Sequence, residues 1–112
     1  MKLAEVVDKL QLKVLTGREG LEREVTGGYV CDLISDVMAN SRTGQLWITI
    51  QNHVNVVAVA SLRELAGVVL IRGRAPVEDA LAKAEGEGLP LLQTDLEAFE
   101  ICGRLHGLLH KA

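Results

Sequence analysis

Short, unbroken apolar segments alternate along this chain with longer segments of helical periodicity. Residues 67–71 read Gly-Val-Val-Leu-Ile, without a polar side chain. A strand covered on one face alternates apolar and polar residues, so this unbroken run predicts a strand covered on both faces. Such strands occur in parallel sheets, whose neighbouring strands need crossover connections. The pattern predicts an α/β fold, a layered single domain over residues 1–112 with a largely parallel β-sheet flanked by helices.

Four further segments have the composition of strands. Residues 12–15 predict a short strand that ends in a Thr16-Gly17 turn, and residues 46–50 alternate Leu46 and Ile48 with Trp47 and Thr49. Residues 25–31 combine β-forming residues with a glycine pair, which predicts a regular or bulged strand approached closely by other backbone. Residues 89–93 complete the set. The order of these strands in a sheet cannot be read from one sequence.

Helical periodicity appears between the strand candidates. Apolar residues three and four apart predict a helix at residues 2–10 and a short one at residues 33–39. Residues 54–65 are rich in β-branched side chains, but their length favours a crossover helix. Pro76 suits the first position of the next helix. Thr94, with Glu97 three residues later, resembles a capping box for the last one.

The charge and the apolar runs limit the partners of this chain. Its formal net charge is −3 and its basic residues are scattered, so no stripe is available to bind a row of nucleic-acid phosphates. The charged run at residues 18–24 is expected to stay in solvent. The apolar runs are far shorter than the roughly 20 residues that cross a bilayer, and the start lacks a continuous signal-peptide core. We expect a cytoplasmic protein with no membrane partner, whose Cys31 and Cys102 are free buried thiols.

Several blocks of the sequence resemble the DRTGG domain, in the order in which that family has them. They are residues 25–33, 35–40 and 46–51, His53, Asn55 and residues 56–62. Thr26, Gly27 and Gly28 match the end of the family motif, and the resemblance implies that they form a tight backbone element. Glu24 and Val25 stand where the family has Asp-Arg, so no anion-binding role of that arginine carries over. The resemblance implies a regulatory role and a fold like the N-terminal domain of HPr kinase/phosphorylase.

The sequence contains no complete catalytic motif, but it has one spacing that is also found in helical metal sites. A phosphate-binding loop of the G-x-x-x-x-G-K-[ST] type needs a Gly-Lys dipeptide, and the chain has none. No Ser-His-Asp or Cys-His arrangement stands at an informative spacing, so we predict no enzyme and no cofactor. Cys102, His106 and His110 recur every four residues, but Cys102 falls within the apolar stripe and His110 beyond it. We therefore predict that they do not converge on a metal ion.

Polar residues follow the predicted strands at the points where ligands bind in open α/β sheets. They are Asp32, Gln51, Asn52, His53, Arg72, Gly73, Arg74, Gln93 and Thr94. Amide, imidazole and guanidinium groups can hold an anion through charge-assisted hydrogen bonds. The alternative is that Asn52 and Thr94 only cap helices and that Arg72 and Arg74 only extend into solvent. Asp32 and Asp36 are read either as a carboxylate pair or, preferably, as charges at a helix N-terminus.

Two hypotheses about function follow from these residues. The first is a regulatory module that binds a small anionic metabolite or a nucleotide at the strand ends and acts on an unidentified partner protein. The second is an assembly or docking domain, as a homodimer, with no small-molecule ligand. Its basis is that 48% of the residues are hydrophobic, more than a small domain readily buries alone.

Overall fold

A computed structural model describes residues 1–111 as five helices and five strands. The helices are α1 (Leu3–Leu10), α2 (Ile34–Asn40), α3 (Val54–Leu62), α4 (Glu78–Glu87) and α5 (Ala98–Leu109). The strands are β1 (Lys13–Val14), β2 (Gly27–Val30), β3 (Gln45–Thr49), β4 (Gly67–Leu70) and β5 (Leu91–Gln93). A 3-10 turn, Arg18–Gly20, follows β1.

All five strands form one sheet in the order β1-β5-β4-β3-β2. The strands β2 to β5 are mutually parallel, whereas β1 runs antiparallel to β5. Parallel neighbours are joined by α2, α3 and α4, as crossover connections require. The predicted fold class, a layered α/β domain with a largely parallel sheet, is confirmed.

Two apolar layers cover the two faces of the sheet. Crossovers between parallel strands are right-handed, so a sheet built in one direction has its crossover helices on one face. Accordingly, α2, α3 and α4 share a core, to which they contribute Val37, Val56 and Ala80. The terminal helices α1 and α5 cover the other face through residues such as Leu3 and Ile101. The two-sided burial predicted for residues 67–71 is confirmed, since all five are buried.

The helix predicted at residues 54–65 is confirmed as α3, and its β-branched side chains fill the core. Two predicted helix starts were wrong. Helix α4 begins at Glu78 rather than at Pro76, because Val77 keeps an extended backbone and its N–H donates to the carbonyl of Asn52.

The second correction concerns the predicted capping box. Helix α5 begins at Ala98, with Glu97 as its N-cap and without a side-chain cap. The hydroxyl of Thr94 instead accepts the N–H of Leu96, which closes a turn before the helix. Thr94 therefore belongs to the loop between β5 and α5 and not to the helix end.

The segment at residues 18–24 is less exposed than its charge predicts. Gly20 is buried and Leu21 is half-buried. The guanidinium of Arg23 donates hydrogen bonds to the carbonyls of Leu65 and Gly88. Within residues 1–111, none of the helices combines the length and the apolar character needed to span a membrane.

Candidate functional site

The loops after β2, β3, β4 and β5 lie along one edge of the sheet, because parallel strands all end on the same side. We call this the carboxyl edge. It contains every residue that the sequence predicted for ligand binding: Asp32 after β2, Gln51, Asn52 and His53 after β3, Arg72, Gly73 and Arg74 after β4, Gln93 at the end of β5 and Thr94 after it. These side chains fall into two groups. Some form hydrogen bonds within a loop or between neighbouring loops, and the others form none and are free to contact a ligand.

Asp32 and Gln51 join the first loop of the carboxyl edge to the second. A carboxylate oxygen of Asp32 accepts the hydroxyl of Thr49 at 2.7 Å and the N–H of Ile50 at 3.0 Å. The side-chain amide of Gln51 donates in return to the carbonyl of Asp32 at 3.0 Å. Both side chains are thus used in holding neighbouring strand ends together.

Asn52 joins the second loop to the third. Its side-chain N–H donates to the carbonyl of Ala75 at 2.7 Å, and this bond orients the side-chain amide. The backbone carbonyl of Asn52 accepts the N–H of Val77 at 3.1 Å. The side-chain oxygen of Asn52 is buried and has no hydrogen-bond partner among residues 1–111.

The loop at residues 72–74 is tied to the loop after β5 through its backbone. The N–H groups of Arg72 and Gly73 donate to the carbonyls of Leu96 and Thr94, at 3.0 and 2.8 Å. The N–H of Arg74 donates to the carbonyl of Ile71 at 3.0 Å. All three amides of this loop are therefore already used, and only its side chains remain for a ligand.

Gln93 and the turn geometry complete this loop. The side-chain amide of Gln93 donates to the carbonyls of Gly73 and Arg74, at 3.2 and 3.0 Å. Arg72 and Gly73 both adopt left-handed backbone, with φ of 56° and 66°. The carboxylate of Asp95 lies beside Gly73, where an added Cβ would come within 3.0 Å of it. Asp95 therefore places a negative charge close to the two arginines.

Three potentially cationic side chains at the carboxyl edge remain without partners. His53, Arg72 and Arg74 are exposed and make no side-chain hydrogen bond or ion pair with the residues that the structure describes. His53 is also the N-cap of α3. The N-terminus of α4 carries Glu78 and Asp79, so it is a poorer neighbour for an anion than the sequence predicted.

A second polar cluster, which the sequence patterns did not predict, lies under the β2–α2 connection. The carboxylate of Asp36 accepts hydrogen bonds from the hydroxyl of Tyr29 at 2.5 Å, the thiol of Cys31 at 3.3 Å and the amide of Asn40 at 2.8 Å. Asp32 bonds to other groups, so the two aspartates do not form a carboxylate pair. Asp36 lies in the first turn of α2, the helix-terminal position preferred from sequence.

The hydrogen bond between Tyr29 and Asp36 shifts the pKa of both side chains. The hydrogen bond to Asp36, with smaller effects of burial and of nearby negative charge, raises the pKa of Tyr29 to about 12. The hydrogen bond from Tyr29, followed by those from Cys31 and Asn40, lowers the pKa of the Asp36 carboxyl. The pair is most stable with the phenol protonated and the carboxyl ionised.

We expect the phenol of Tyr29 to titrate at about pH 12 in the folded protein. Because this is the only tyrosine, ultraviolet absorbance of tyrosinate reports it directly. Asp36→Asn removes the charge, so the pKa should fall toward the ordinary value of about 10. Asp32→Asn is the matched control and should leave the titration unchanged. The stability contributed by the raised pKa is fully present below about pH 10 and is lost as pH rises through the folded value. A parent titration near pH 10 would contradict the Tyr29–Asp36 contact.

Two clefts lie away from the carboxyl edge. A cleft of about 490 Å³ lies beside the amino ends of the parallel strands, between Arg23, Glu64 and Glu87. An apolar groove of about 180 Å³ lies between β2 and α5, and Gly28, Val30, Ile48, Leu105 and Leu109 line it. We call it the lateral groove.

The two cysteines lie on different elements, Cys31 directly after β2 and Cys102 in α5, the helix that also contains His106. Cys31 and Cys102 are free, as predicted, but half-buried rather than buried. Burial raises the pKa of the Cys102 thiol. His106 and His110 stack at 4.2 Å between ring centroids. In the described part of the chain, no group of three or more His, Cys, Asp or Glu side chains is arranged to hold a metal ion.

Comparisons with known proteins find one matching family and a solved structure with a similar fold. A family model described as the DRTGG domain matches residues 5–108. No curated protein matches the chain. A solved structure of the CBS and DRTGG domains of the regulatory region of Clostridium perfringens pyrophosphatase, complexed with the activator diadenosine tetraphosphate, is similar with a TM-score of 0.72 and 14% identity. The match covers 93% of this chain and 45% of that one, so this chain spans less than half of its neighbour.

Proposed function

Because the chain belongs to the DRTGG domain family, we propose that it is a non-catalytic regulatory module that binds a small anionic metabolite or a nucleotide at the carboxyl edge. The observation that carries this proposal is the set of three exposed side chains, His53, Arg72 and Arg74, that have no side-chain partner within residues 1–111. Exposed charge with no internal partner contributes little to the fold, so a binding role accounts for it better than a structural one.

The surrounding contacts support a preformed site. Asp32, Gln51, Asn52 and Gln93 hold the four loops together by hydrogen bonds, so a ligand would meet loops that are already positioned. Preorganisation lowers the entropic cost of binding. In this proposal these four residues position the site, and His53, Arg72 and Arg74 contact the ligand.

The chemistry of the free groups favours a phosphorylated ligand. Guanidinium groups bind phosphate in a bidentate manner, and a neighbouring imidazole adds a hydrogen-bond donor. The structural neighbour is a regulatory region bound to a nucleotide activator, which is consistent with a nucleotide ligand for this chain as well. Asp95 opposes a ligand that places its charge directly at Gly73, so the phosphate is expected nearer the side chains than the loop backbone.

No reaction is part of this proposal. The module would change the state of an unidentified partner protein when its ligand binds. Both cysteines are free thiols, which fits a reducing compartment, so the proposed location is the cytoplasm.

Isothermal calorimetry with a panel of nucleotides and phosphorylated metabolites, including diadenosine tetraphosphate and inorganic phosphate, tests the proposal. We expect at least one phosphorylated compound to bind with one site per chain. A complete absence of heat of binding and of thermal stabilisation at millimolar concentration would contradict ligand sensing.

The double substitution Arg72→Ala and Arg74→Ala should weaken binding of that compound at least about tenfold, equivalent to roughly 1.4 kcal/mol. Folding should change little, by about 0.5 kcal/mol or less for each exposed charge. The matched control is Arg18→Ala with Arg42→Ala, which removes the same charge from exposed positions beside the amino ends of the strands. If the parent and the Arg72/Arg74 variant bind the compound with equal affinity, the site around Gly73 is wrong. His53 and Asn52 would then be the next residues to substitute.

Assembly with another protein chain is the second candidate function. The observation that favours it is the pair of large apolar side chains beside β2, since Val30 is 57% and Leu33 is 63% exposed. Exposed apolar patches mark interaction surfaces in many soluble proteins. Light scattering on the full chain at high micromolar concentration tests for a homodimer, and a monomer at every concentration would contradict it.

A further inference from the structure

Strand β2 forms one edge of the sheet and pairs only with β3. The N–H of Cys31 donates to the carbonyl of Ile48. Since alternate residues of a strand face each neighbour, Tyr29 faces β3 like Cys31, and the backbone groups of Gly28 and Val30 face outward. The outer side of β2 therefore offers two N–H and two C=O groups to another strand.

This edge lacks the protection that sheets usually have. Natural edge strands are blocked by lysine, proline or an inward charge. The other edge, β1, has only two residues, one of them the exposed Lys13. By contrast, no charged residue or proline occurs at residues 25–31. The unprotected edge is thus confined to β2.

The lateral groove beside this edge fits the side chain that β2 itself exposes. Gly28 and Val30 lie on the same face as α5, and both line the groove with Leu105 and Leu109. Gly28 has no side chain to cover this apolar wall, and Leu105 packs directly over it, with its Cδ2 atom 3.0 Å from where a Cβ of residue 28 would lie. Val30 stands next to it with more than half of its surface exposed.

We infer that a second copy of this chain pairs with β2 in antiparallel orientation, about a two-fold axis at Tyr29; this rests on the second candidate function, assembly. Such an axis places Gly28 of one copy opposite Val30 of the other, and the reverse. The outward N–H and C=O groups of both copies then form hydrogen bonds across the axis. Each Val30 side chain then lies beside Gly28 of the other copy and packs along its lateral groove, against the Leu105 side chain.

Self-complementarity distinguishes a second copy from an unrelated strand. The small residue and the exposed large one are two positions apart, so an antiparallel copy brings each against the other. The acidic residues at the ends do not meet, because Asp32 of one copy falls opposite Thr26 of the other. Two-fold pairing also closes the assembly, leaving only the short β1 edges exposed.

Val30→Lys tests the inference, because a lysine in the groove would be desolvated without a partner. Sedimentation equilibrium of the full chain should show a dimer for the parent and at least a tenfold higher dissociation constant for Val30→Lys. Leu62→Lys is the matched control, since Leu62 is 68% exposed on α3, which packs on the opposite face of the sheet from the lateral groove, and the dissociation constant of this variant should not change. Far-ultraviolet circular dichroism checks that both variants are folded.

Amide hydrogen exchange on the parent gives a second readout that needs no variant. The amides of Gly28 and Val30 should be protected at high protein concentration and lose that protection on dilution. A parent that stays monomeric, or a dimer that leaves these two amides unprotected, would overturn the inference. Calorimetry on monomeric Val30→Lys separates the two proposals, because the carboxyl edge should still bind its phosphorylated compound if only the dimer is lost.

Discussion

Replacing Gly17 by alanine is expected to lower the free energy of unfolding by about 3 kcal/mol or more. Gly17 has a φ of 69°, a left-handed conformation that costs about 1–2 kcal/mol for a residue with a side chain. The space for a methyl group is also absent, because a Cβ would lie 2.4 Å from the backbone carbon of Leu89. Backbone cannot move aside as a flexible side chain can, so strain of about 1–3 kcal/mol adds to the conformational cost.

The neighbours of Gly17 explain why this contact is so close. The hydroxyl of Thr16 donates to the carbonyl of Leu89 at 2.8 Å and accepts the N–H of Leu91 at 3.1 Å. The N–H of Gly17 donates to a carboxylate oxygen of Glu85 at 2.9 Å. These bonds hold the chain after β1 against the segment that leads into β5.

Chemical denaturation of the parent, Gly17→Ala and Gly103→Ala measures the effect. Gly103 is the matched control, because it lies in α5 with no atom within 4 Å of an added Cβ. There the substitution should stabilise the protein by about 0.5–1 kcal/mol, the difference in helix propensity. Similar changes in the free energy of unfolding for Gly17→Ala and Gly103→Ala would contradict the close packing of Gly17 on Leu89.

The second largest effect is expected at Arg23, where substitution by methionine should cost about 2 kcal/mol of stability. The two terminal nitrogens of the Arg23 guanidinium donate to the carbonyls of Leu65 and Gly88, each at 3.2 Å. These carbonyls follow α3 and α4, so one side chain links two crossover helices at the amino edge of the sheet. Methionine keeps the apolar stem but leaves both carbonyls without this donor.

Arg18→Met is the control for Arg23→Met, since Arg18 is exposed and its side chain makes no hydrogen bond within residues 1–111. Its effect should stay within about 0.5 kcal/mol. Thermal and urea unfolding measure both variants, and equal stabilities would contradict the bridging role of Arg23. Ligand affinity at the carboxyl edge should be the same in folded Arg23→Met as in the parent, because Arg23 lies at the opposite edge.

Local sequence patterns predicted the elements and the residues of the candidate site. Each strand end contributes polar residues at a fixed place in the βα unit, so Arg72 and His53 could be assigned to one edge without knowing the strand order. The patterns did not show which of these side chains are free. Gln51 and Gln93 hold neighbouring loops, whereas the side chains of Arg72 and Arg74 have no partner in the described part of the chain, and this difference depends on contacts between loops far apart in the sequence.

Local patterns were enough to predict the α/β class, the parallel core of the sheet and the crossover helix α3, because apolar periodicity and segment length act within a few residues. Tertiary structure decided where β1 lies, and hence that Gly17 packs on Leu89. It also decided the position of β2 at an open edge and the bonds from Tyr29 and Cys31 to Asp36. The physical reason is that hydrophobic periodicity specifies which face of an element is buried, whereas the identity of the neighbour depends on how all the elements pack together.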